Sequence, residues 1–229
     1  MVVINKITTN NNCGGCIMKR IAIVGAAGRE GSCLVKEAIA RGHEVTGFVR
    51  RKDQTIDPNA KRIVKDLFEL TREDLIGFDV VIDAVGAWTP ETLASLSSSA
   101  AYLCDCLSNT EVRLLVVGGA GSLYTDKGHT ACVAEAPDFP EIYKPVAHAH
   151  DIILKGLRKR EDVKWTYLSP AGDFRADGER TGKILIGGEE YFVNDKGESQ
   201  ISYRDYAIAM IDEAERAEHV GKRFSVIGA

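Results

Sequence analysis

The stretch RIAIVGAAGREGSCLVKEAIARGHEV, residues 20–45, constrains the fold more than any other part of the sequence. A short run of apolar, mostly β-branched residues ends at a glycine, and apolar residues then recur at helical spacing. Gly25, Gly28 and Gly31 fall in the spacing GxxGxxG across this junction. Such glycines can mark only a tight turn, but a strand before them and a helix after them are typical of a dinucleotide-binding βαβ unit.

Further apolar runs alternate with helical patterns along the rest of the chain. Two of the runs, FDVVIDAVG and VRLLVVGGAG, are almost continuously apolar, as expected for strands that helices cover on both faces. The other strand-like runs are GHEVTGFVRR, KRIVKDL, KWTYLS and KRFSVIG. The sequence therefore predicts the α/β class, with a Rossmann-type doubly wound parallel sheet and a small C-terminal substrate lobe.

The domain organisation follows from the same patterns. We predict an irregular leader over residues 1–17 and a single Rossmann-like, NAD(P)-binding domain over residues 18–229. The leader is rich in asparagine and has no apolar core of the kind found in secretory signals, which favours a cytoplasmic location. The glycine-rich region at about 170–200 predicts a loop and a small hairpin, which would form a substrate-side lobe over the strand ends.

Composition excludes several classes of partner. The formal net charge of −4 gives no general attraction for nucleic acid, and no apolar run approaches the roughly 20 residues of a membrane-spanning helix. Cys13 and Cys16 form a CxxC without a second ligand pair at zinc-finger spacing, so we expect no metal site. We expect a soluble monomer or homodimer that binds small molecules.

The glycine turn predicts a site for a pyrophosphate, because the first N–H groups of a helix and its dipole attract anions. Gly25 would make the turn, Gly28 would let the backbone approach a phosphate, and Gly31 would let helix and strand pack closely.

The end of the second strand bears on which dinucleotide binds. An acidic residue there would hydrogen-bond a free ribose 2′-hydroxyl, whereas this chain has Arg50 and Arg51. Guanidinium groups suit a 2′-phosphate, which favours NADP(H) over NAD(H). The alternative is a solvated basic edge, since Asp53 follows closely.

Loops at the ends of the later strands should meet in the same crevice, because ligands of open parallel sheets lie at the carboxyl ends of the strands. Asp66 and Leu67 would flank an adenine, and residues 85–87 would pass beside a ribose. The residues predicted to contact the cofactor are Gly25, Ala27, Gly28, Arg29, Glu30, Gly31, Arg50, Arg51, Asp66, Leu67, Val85, Gly86, Ala87, Gly119, Ala120 and Pro170.

No catalytic acid stands out in the sequence. Reductases of this build often carry a tyrosine with a lysine four residues later, but Tyr143 is followed at that spacing by Ala147. Tyr143 and His148 are the remaining candidates for proton transfer, while His150 shares the apolar face of its helix. This absence suits a flavin or quinone acceptor, because hydride can pass between stacked rings and solvent can supply the proton. Trp88, Tyr124, Phe139 and Phe174 lie on loops that could line a slot for such a ring.

The motifs IVGAAGREG, VVGGAGSLY, WTYLSPAGDF, RTGKILIGG and GESQISYRDYAIAMIDE, in this order, resemble the atypical short-chain dehydrogenase/reductases. The chain is most similar there to the NADH-flavin-reductase-like group, which is related to flavin-reducing biliverdin reductase. The resemblance runs from about Lys19 to Val226 and implies a reductase of flavin or a related planar acceptor. It also implies that Ser169, Pro170 and Ala171 lie near the nicotinamide and that the cofactor is held by Gly25, Gly28, Gly31, Arg50, Asp66, Gly86 and Gly119.

The function that we expect is therefore NAD(P)H-dependent transfer of hydride to a flavin, such as FMN or FAD, or to a quinone-like acceptor. An NADP(H)-binding regulatory protein that senses redox state without turnover is the alternative, because it also needs no acid. Sugar-nucleotide epimerase or dehydratase chemistry needs the missing proton-transfer pair and ranks last.

Overall fold

The structure is a computed structural model that describes residues 5–8, 17–87 and 89–229, with only the backbone of residues 5–8 and 90. The cysteines of the CxxC, Cys13 and Cys16, and the loop residue Trp88 lie outside the described residues.

In the described residues, one nine-stranded sheet forms the centre of the molecule. Its strands are β1 (Asn5–Thr8), β2 (Arg20–Val24), β3 (Glu44–Val49), β4 (Lys61–Val64), β5 (Val80–Asp83), β6 (Arg113–Val117), β7 (Lys164–Ser169), β9 (Lys183–Gly187) and β11 (Lys222–Gly228). They are arranged in the order β1-β9-β11-β7-β6-β5-β2-β3-β4. All pairings are parallel except those of β9 with β1 and β11.

Helices cover both faces of this sheet and give two apolar cores. The helices longer than one turn are α1 (Arg29–Ala40), α3 (Pro90–Leu107), α4 (Lys144–Leu157) and α5 (Tyr203–Arg216), and α2 (Arg72–Leu75) is a single turn. The first face carries α1 and α5, which pack together, and the second carries α3 and α4. The predicted α/β class and doubly wound sheet are confirmed.

The order in which the chain adds parallel strands to the sheet reverses between β2 and β5, and we call this place the reversal point. From β2 the chain continues outward through β3 and β4, and from β5 it continues outward on the other side through β6 and β7. Crossovers on the two sides of this point leave a crevice at the carboxyl ends of the strands, where ligands of doubly wound sheets bind.

Two expectations about the edges of the fold were wrong. Residues 5–8 of the predicted irregular leader form strand β1, which pairs with β9. Residues 183–187, expected in a small hairpin over the strand ends, form β9 in the main sheet, because burial of Ile184 and Leu185 favours a place beside β11. The lobe keeps only a two-stranded parallel sheet of β8 (Asp173–Arg175) and β10 (Gln200–Ser202).

Within the described part of the chain, none of the helices combines the length and the apolar character required to cross a lipid bilayer.

Candidate functional site

The turn between β2 and α1 has a backbone that requires glycine. Gly25 has a φ of +82°, and a Cβ on it would lie 2.7 Å from the carbonyl oxygen of Ala84. A Cβ on Gly31 would lie only 2.2 Å from the carbonyl oxygen of Gly25. The glycine spacing therefore lets the turn touch both the loop after β5 and the first turn of α1. The close approach of α1 at Gly31 agrees with the role predicted for that glycine.

Helix α1 begins without a side-chain cap. Its N-cap is Gly28, which has no side chain to accept from the first N–H groups, and the N–H of Gly28 itself donates to the carbonyl of Gly25 at 2.8 Å. The first N–H groups of a helix have no intrahelical partner, and the helix dipole adds partial positive charge at that end. This helix end is therefore suited to bind an anionic group such as a pyrophosphate.

A cavity of about 250 Å³ opens beside this turn. It spans the carboxyl ends of four neighbouring strands, β5, β2, β3 and β4, at the reversal point of the sheet. Its volume lies below the usual ~300–1,000 Å³ of a whole ligand pocket, so it suits one half of a dinucleotide. The lining residues are Val24, Gly25, Ala27, Gly28, Phe48, Val49, Arg50, Gln54, Lys65, Asp66, Leu67, Phe68, Ala84, Val85, Gly86, Thr92 and Ser95.

Half of the predicted cofactor residues lie on this cavity. They are Gly25, Ala27, Gly28, Arg50, Asp66, Leu67, Val85 and Gly86. The sequence analysis missed several polar lining residues, namely Gln54, Lys65, Thr92 and Ser95; Thr92 and Ser95 belong to α3, whose N-terminal half forms one wall. The predicted residues that lie outside the cavity lining are Arg29, Glu30, Gly31, Arg51, Ala87, Gly119, Ala120 and Pro170.

The two consecutive arginines after β3 have different surroundings. Arg50 is exposed, lines the cavity, and has neither an ion pair nor a hydrogen bond to another described residue. Arg51 instead lies outside the lining, and its Nε donates to Asp53 at 3.1 Å. The basic edge is thus divided between one cation that is available to a ligand and one that is paired in solvent.

Side chains from neighbouring strands hold the loops around Arg50. Arg62 of β4 donates to two carbonyl oxygens of the loop after β3, those of Lys52 and Gln54, at 2.9 and 2.7 Å. At the end of β4, the carboxylate of Asp66 accepts from the N–H of Phe68 at 3.0 Å. The cavity wall is therefore held by specific hydrogen bonds.

Glu30 lies in the first turn of α1, yet its side chain is not placed to bind a ligand in the cavity. The residue is 8% exposed, and both carboxylate oxygens are fully buried without a hydrogen-bond partner among the described residues. Burial raises the pKa of this carboxyl well above its usual value, because a carboxylate is costly to desolvate. A contact between Glu30 and the cofactor is therefore limited to the backbone.

The glycines at the end of β6 contact buried tyrosines. The Gly118 N–H donates to the carbonyl of Leu168 at 2.9 Å, and the Gly119 N–H donates to the hydroxyl of Tyr167 at 2.9 Å. A Cβ on Gly119 would lie 2.9 Å from the imidazole of His150, whose ring packs edge-on to Tyr167 at 6.5 Å. Burial lowers the pKa of His150 to about 4, so this imidazole is neutral near pH 7.

The two candidates for proton transfer, Tyr143 and His148, are not brought together with a partner for that step. Tyr143 is the exposed residue before α4, and its neighbour Lys144 pairs with Glu141 at 2.5 Å. His148 is exposed on α4, so the histidine in contact with the end of β6 is His150 instead. Among the described residues, no three His, Cys, Asp or Glu side chains group in a way that could hold a metal ion.

Two of the loop aromatics are already packed against protein groups. Tyr124 stacks on His129 at 4.2 Å between ring centroids, and the guanidinium of Arg223 lies 5.4 Å from the Tyr124 ring. Phe174 packs against Tyr203 and Tyr206 of α5. These rings help to build the lobe.

Comparison with known proteins places this site in a family. The family model for NAD(P)H-binding proteins matches residues 25–217. The uncharacterized protein YwnB of Bacillus subtilis (strain 168) is 42% identical over 208 residues, which cover 91% of this chain and 98% of that protein.

Solved structures are also similar to this chain over most of its length. A Streptococcus pneumoniae TIGR4 protein, described as a "putative NADH-flavin reductase", is 46% identical with a TM-score of 0.87, covering 92% of this chain and 100% of that one. A Lactobacillus casei protein is 28% identical with a TM-score of 0.81, covering 92% and 99%. The glycine turn, the cavity beside it and these matches together show that the chain belongs to the NAD(P)H-binding family.

Proposed function

We propose that the protein is an NAD(P)H-dependent reductase that passes hydride to a flavin or a quinone-like planar acceptor, with NADP(H) as the preferred cofactor. The observation that carries the proposal is the cavity at the reversal point of the sheet, with the glycine turn on one side and the unpaired Arg50 on another. The similarity to the pneumococcal protein supports the acceptor class.

The residues present fit the dinucleotide. The Gly25–Gly28 turn and the first N–H groups of α1 would bind the pyrophosphate, and Asp66 and Leu67 would flank the adenine. Arg50 would pair with a 2′-phosphate, for which its planar guanidinium is suited. When bound, the nicotinamide supplies the hydride.

The region around α4 and the end of β6 supports the acceptor class. In the described residues around α4, no tyrosine–lysine pair is placed to protonate a carbonyl oxygen, since Lys144 is bound to Glu141 and residue 147 is alanine. The N–H of Gly119 is occupied by Tyr167. A planar acceptor that takes its proton from water needs only orientation and exclusion of bulk solvent.

Steady-state oxidation of NADPH and NADH with FMN, riboflavin and a soluble quinone tests the proposal. We expect turnover above background with at least one acceptor, at a higher kcat/KM with NADPH. Calorimetric binding of NADP⁺ and NADPH without turnover for any acceptor would instead support the redox-sensing alternative. No saturable binding at millimolar dinucleotide would overturn both.

The cofactor preference has a matched pair of variants. Arg50→Ala should weaken NADPH binding by about 1–3 kcal/mol and leave NADH nearly unchanged, because a charge-assisted contact is lost. Arg51→Ala should change either affinity by less than about 0.5 kcal/mol, since its guanidinium is paired with Asp53 and exposed. If Arg50→Ala weakened the binding of NADPH and NADH equally, Arg50 would belong to a solvated basic edge and not to a site for the 2′-phosphate.

A further inference from the structure

Asp83 is a buried carboxylate directly before the cavity-lining residues Ala84 and Val85. It is the last residue of β5 and is 3% exposed. One carboxylate oxygen, Oδ1, accepts from the N–H of Val85 at 3.1 Å, and the other, Oδ2, accepts from the hydroxyl of Ser99 at 2.7 Å. The side chain thus joins the loop after β5 to helix α3.

Both partners of Asp83 belong to walls of the cofactor cavity. Val85 lines the cavity with its neighbours Ala84 and Gly86, and Ser99 lies one helical turn after the lining residue Ser95. The loop also touches the glycine turn, because a Cβ on Gly25 would lie 2.7 Å from the Ala84 carbonyl oxygen. A shift of the Asp83 carboxylate would therefore reach three walls of the cavity.

The charge at this position is costly to the fold. Burial raises the pKa of Asp83 to about 6, although the hydrogen bonds from Ser99 and Val85 lower it in part. Nearby on α3, the titratable group that interacts with it is the Cys104 thiol, whose pKa burial raises to about 12, so this thiol is neutral. No described cation offsets the carboxylate, and a neutral side chain would cost less to bury.

We propose that Asp83 is a positioning residue for the dinucleotide, whose ionised carboxylate holds the Val85 loop and α3 in the arrangement that receives the cofactor. This inference rests on the proposed function of the cavity. Charge-assisted hydrogen bonds are stronger than neutral ones, so the ionised form fixes both walls more firmly than the protonated form does.

The proposal fixes the sign of a pH dependence. If cofactor binding favours the ionised carboxylate, affinity must fall as the pH falls through about 6. Simple repulsion between a pyrophosphate and the carboxylate would have the opposite sign, with tighter binding at low pH. The direction of the change therefore separates positioning from plain charge repulsion.

The experiment is isothermal titration of the full chain with NADP⁺ and NAD⁺, both stable in acid, from pH 5 to pH 8. The variants are Asp83→Asn, which mimics the protonated carboxyl, Ser99→Ala, and Ser97→Ala as a matched control on the exposed side of α3. We expect the wild-type affinity to fall about threefold to tenfold from pH 8 to pH 5, relative to Asp83→Asn.

Each variant has its own expected result. Asp83→Asn should bind at every pH with the low-pH affinity of the wild type, so that the two curves meet at pH 5. Ser99→Ala removes a hydrogen bond that lowers the pKa of Asp83, so its transition should move to higher pH. Ser97→Ala should follow the wild type. Thermal unfolding at each pH verifies that all four proteins are folded.

Three results would overturn the inference. The first is a ratio of wild-type to Asp83→Asn affinity that stays constant from pH 5 to pH 8, and the second is a ratio of opposite sign. The third applies if Asp83→Asn does not fold, and it is a Ser99→Ala protein whose affinity for the dinucleotide changes at the same pH as that of the wild type. Absence of dinucleotide binding by the wild type would overturn the proposed function as well, so the two failures are distinguishable.

Discussion

Replacement of Glu30 by methionine should stabilise the protein at neutral and alkaline pH. The Glu30 carboxyl is buried in the first turn of α1, and neither oxygen has a hydrogen-bond partner among the described residues. An unsatisfied buried polar group costs about 1–3 kcal/mol, more when it is charged. The helix dipole returns only about 0.3–1 kcal/mol to an acidic residue at this end. Burial of this carboxyl therefore lowers the free energy of unfolding on balance.

The sign of the pH dependence follows from the raised pKa. Between the pKa of Glu30 in the unfolded chain, about 4.3, and its higher pKa in the folded state, the folded protein binds more protons. The free energy of unfolding therefore falls as the pH rises through this window, by up to about 1.4 kcal/mol per pH unit. Glu30→Met removes this loss, so its advantage over the wild type should grow with pH.

Thermal unfolding without cofactor, followed by circular dichroism from pH 5 to pH 9, measures the effect. A gain of about 1–3 kcal/mol at pH 8 corresponds to a rise in Tm of about 2–12 °C for a chain of this size. Glu30→Gln should remove the pH dependence but recover less stability, because an unpaired amide stays buried. Binding of NADP⁺ should change by less than about threefold, since the Glu30 side chain does not line the cavity.

Glu37 of the same helix is the matched control. It is also 8% exposed, but its carboxylate pairs with Arg41 at 2.9 Å and with Arg180 at 3.1 Å. Glu37→Met should therefore lower the stability by about 0.5–1.5 kcal/mol, because the hydrogen bonds to both arginines are lost. The loss is limited because Arg41 keeps Asp212 and Glu215 as partners and the Arg180 side chain is half exposed. A Glu30→Met protein that melts below the wild type at pH 8, with the same pH profile, would refute the reasoning.

Three other substitutions have expected outcomes. Gly31→Ala would place a Cβ 2.2 Å from a backbone oxygen, so calorimetry should show no NADP⁺ binding and the free energy of unfolding should fall by about 1–3 kcal/mol. Gly156→Ala in α4 is the control, because its Cβ meets no atom within 4 Å, and it should raise the free energy of unfolding by about 0.5–1 kcal/mol. Tyr143→Phe and His148→Ala should leave kcat/KM within about twofold of the wild type, because both residues are exposed outside the cavity. Arg62→Ala frees the loop after β3 and should weaken NADPH about threefold in a titration, with little change in Tm.

The order of strands and helices could be predicted because each element is specified by residues close to it in the sequence. The run before Gly25 is apolar and β-branched, and helical spacing begins directly after Gly28. Because the strands are parallel, the ends of β2, β3, β4 and β5 meet at one edge, which brought Arg50, Asp66 and Gly86 to the same cavity. Short-range patterns and topology were therefore sufficient to predict these cavity-lining residues.

The choice between Arg50 and Arg51 could not be made from the sequence. Both arginines follow Val49, the last residue of β3, so the alternation of side chains along a strand does not decide which of them faces the cavity. The direction of each side chain depends on the conformation of the loop after β3, which Arg62 of the neighbouring strand β4 holds. The structure assigns the cavity to Arg50.

The features that the sequence analysis did not predict all depend on residues far away in the sequence. Glu30 resembles an ordinary acidic residue at a helix start, and only the packing of α1 against α5 buries its carboxyl. Strand β9 was expected in a hairpin, since nothing near residues 183–187 shows that β11, some 40 residues later, will pair with it. Thr92 and Ser95 reach the cavity because α3 lies beside the loop after β5.

The two ends of the crevice differ in what they offer a ligand, and this predicts how the acceptor is selected. At the end with Arg50, this cation lines the cavity beside a helix start that has no side-chain cap. At the other end, the hydroxyl of Tyr206 accepts from the Gly118 N–H at 3.4 Å and donates to a carbonyl at 2.7 Å, and Tyr167 occupies the N–H of Gly119.

These groups are already paired with each other, and the Ser169 Oγ and His150 Nδ1 at this end, which have no partner among the described residues, are fully buried. Selection at that end should therefore depend on shape and apolar contact rather than on hydrogen bonding. In a series of flavins and quinones, kcat/KM should therefore follow ring size and reduction potential and vary little with polar ring substituents. A change of more than about tenfold on removing one hydrogen-bonding substituent, at matched size and potential, would show that an unpaired polar group contacts the acceptor.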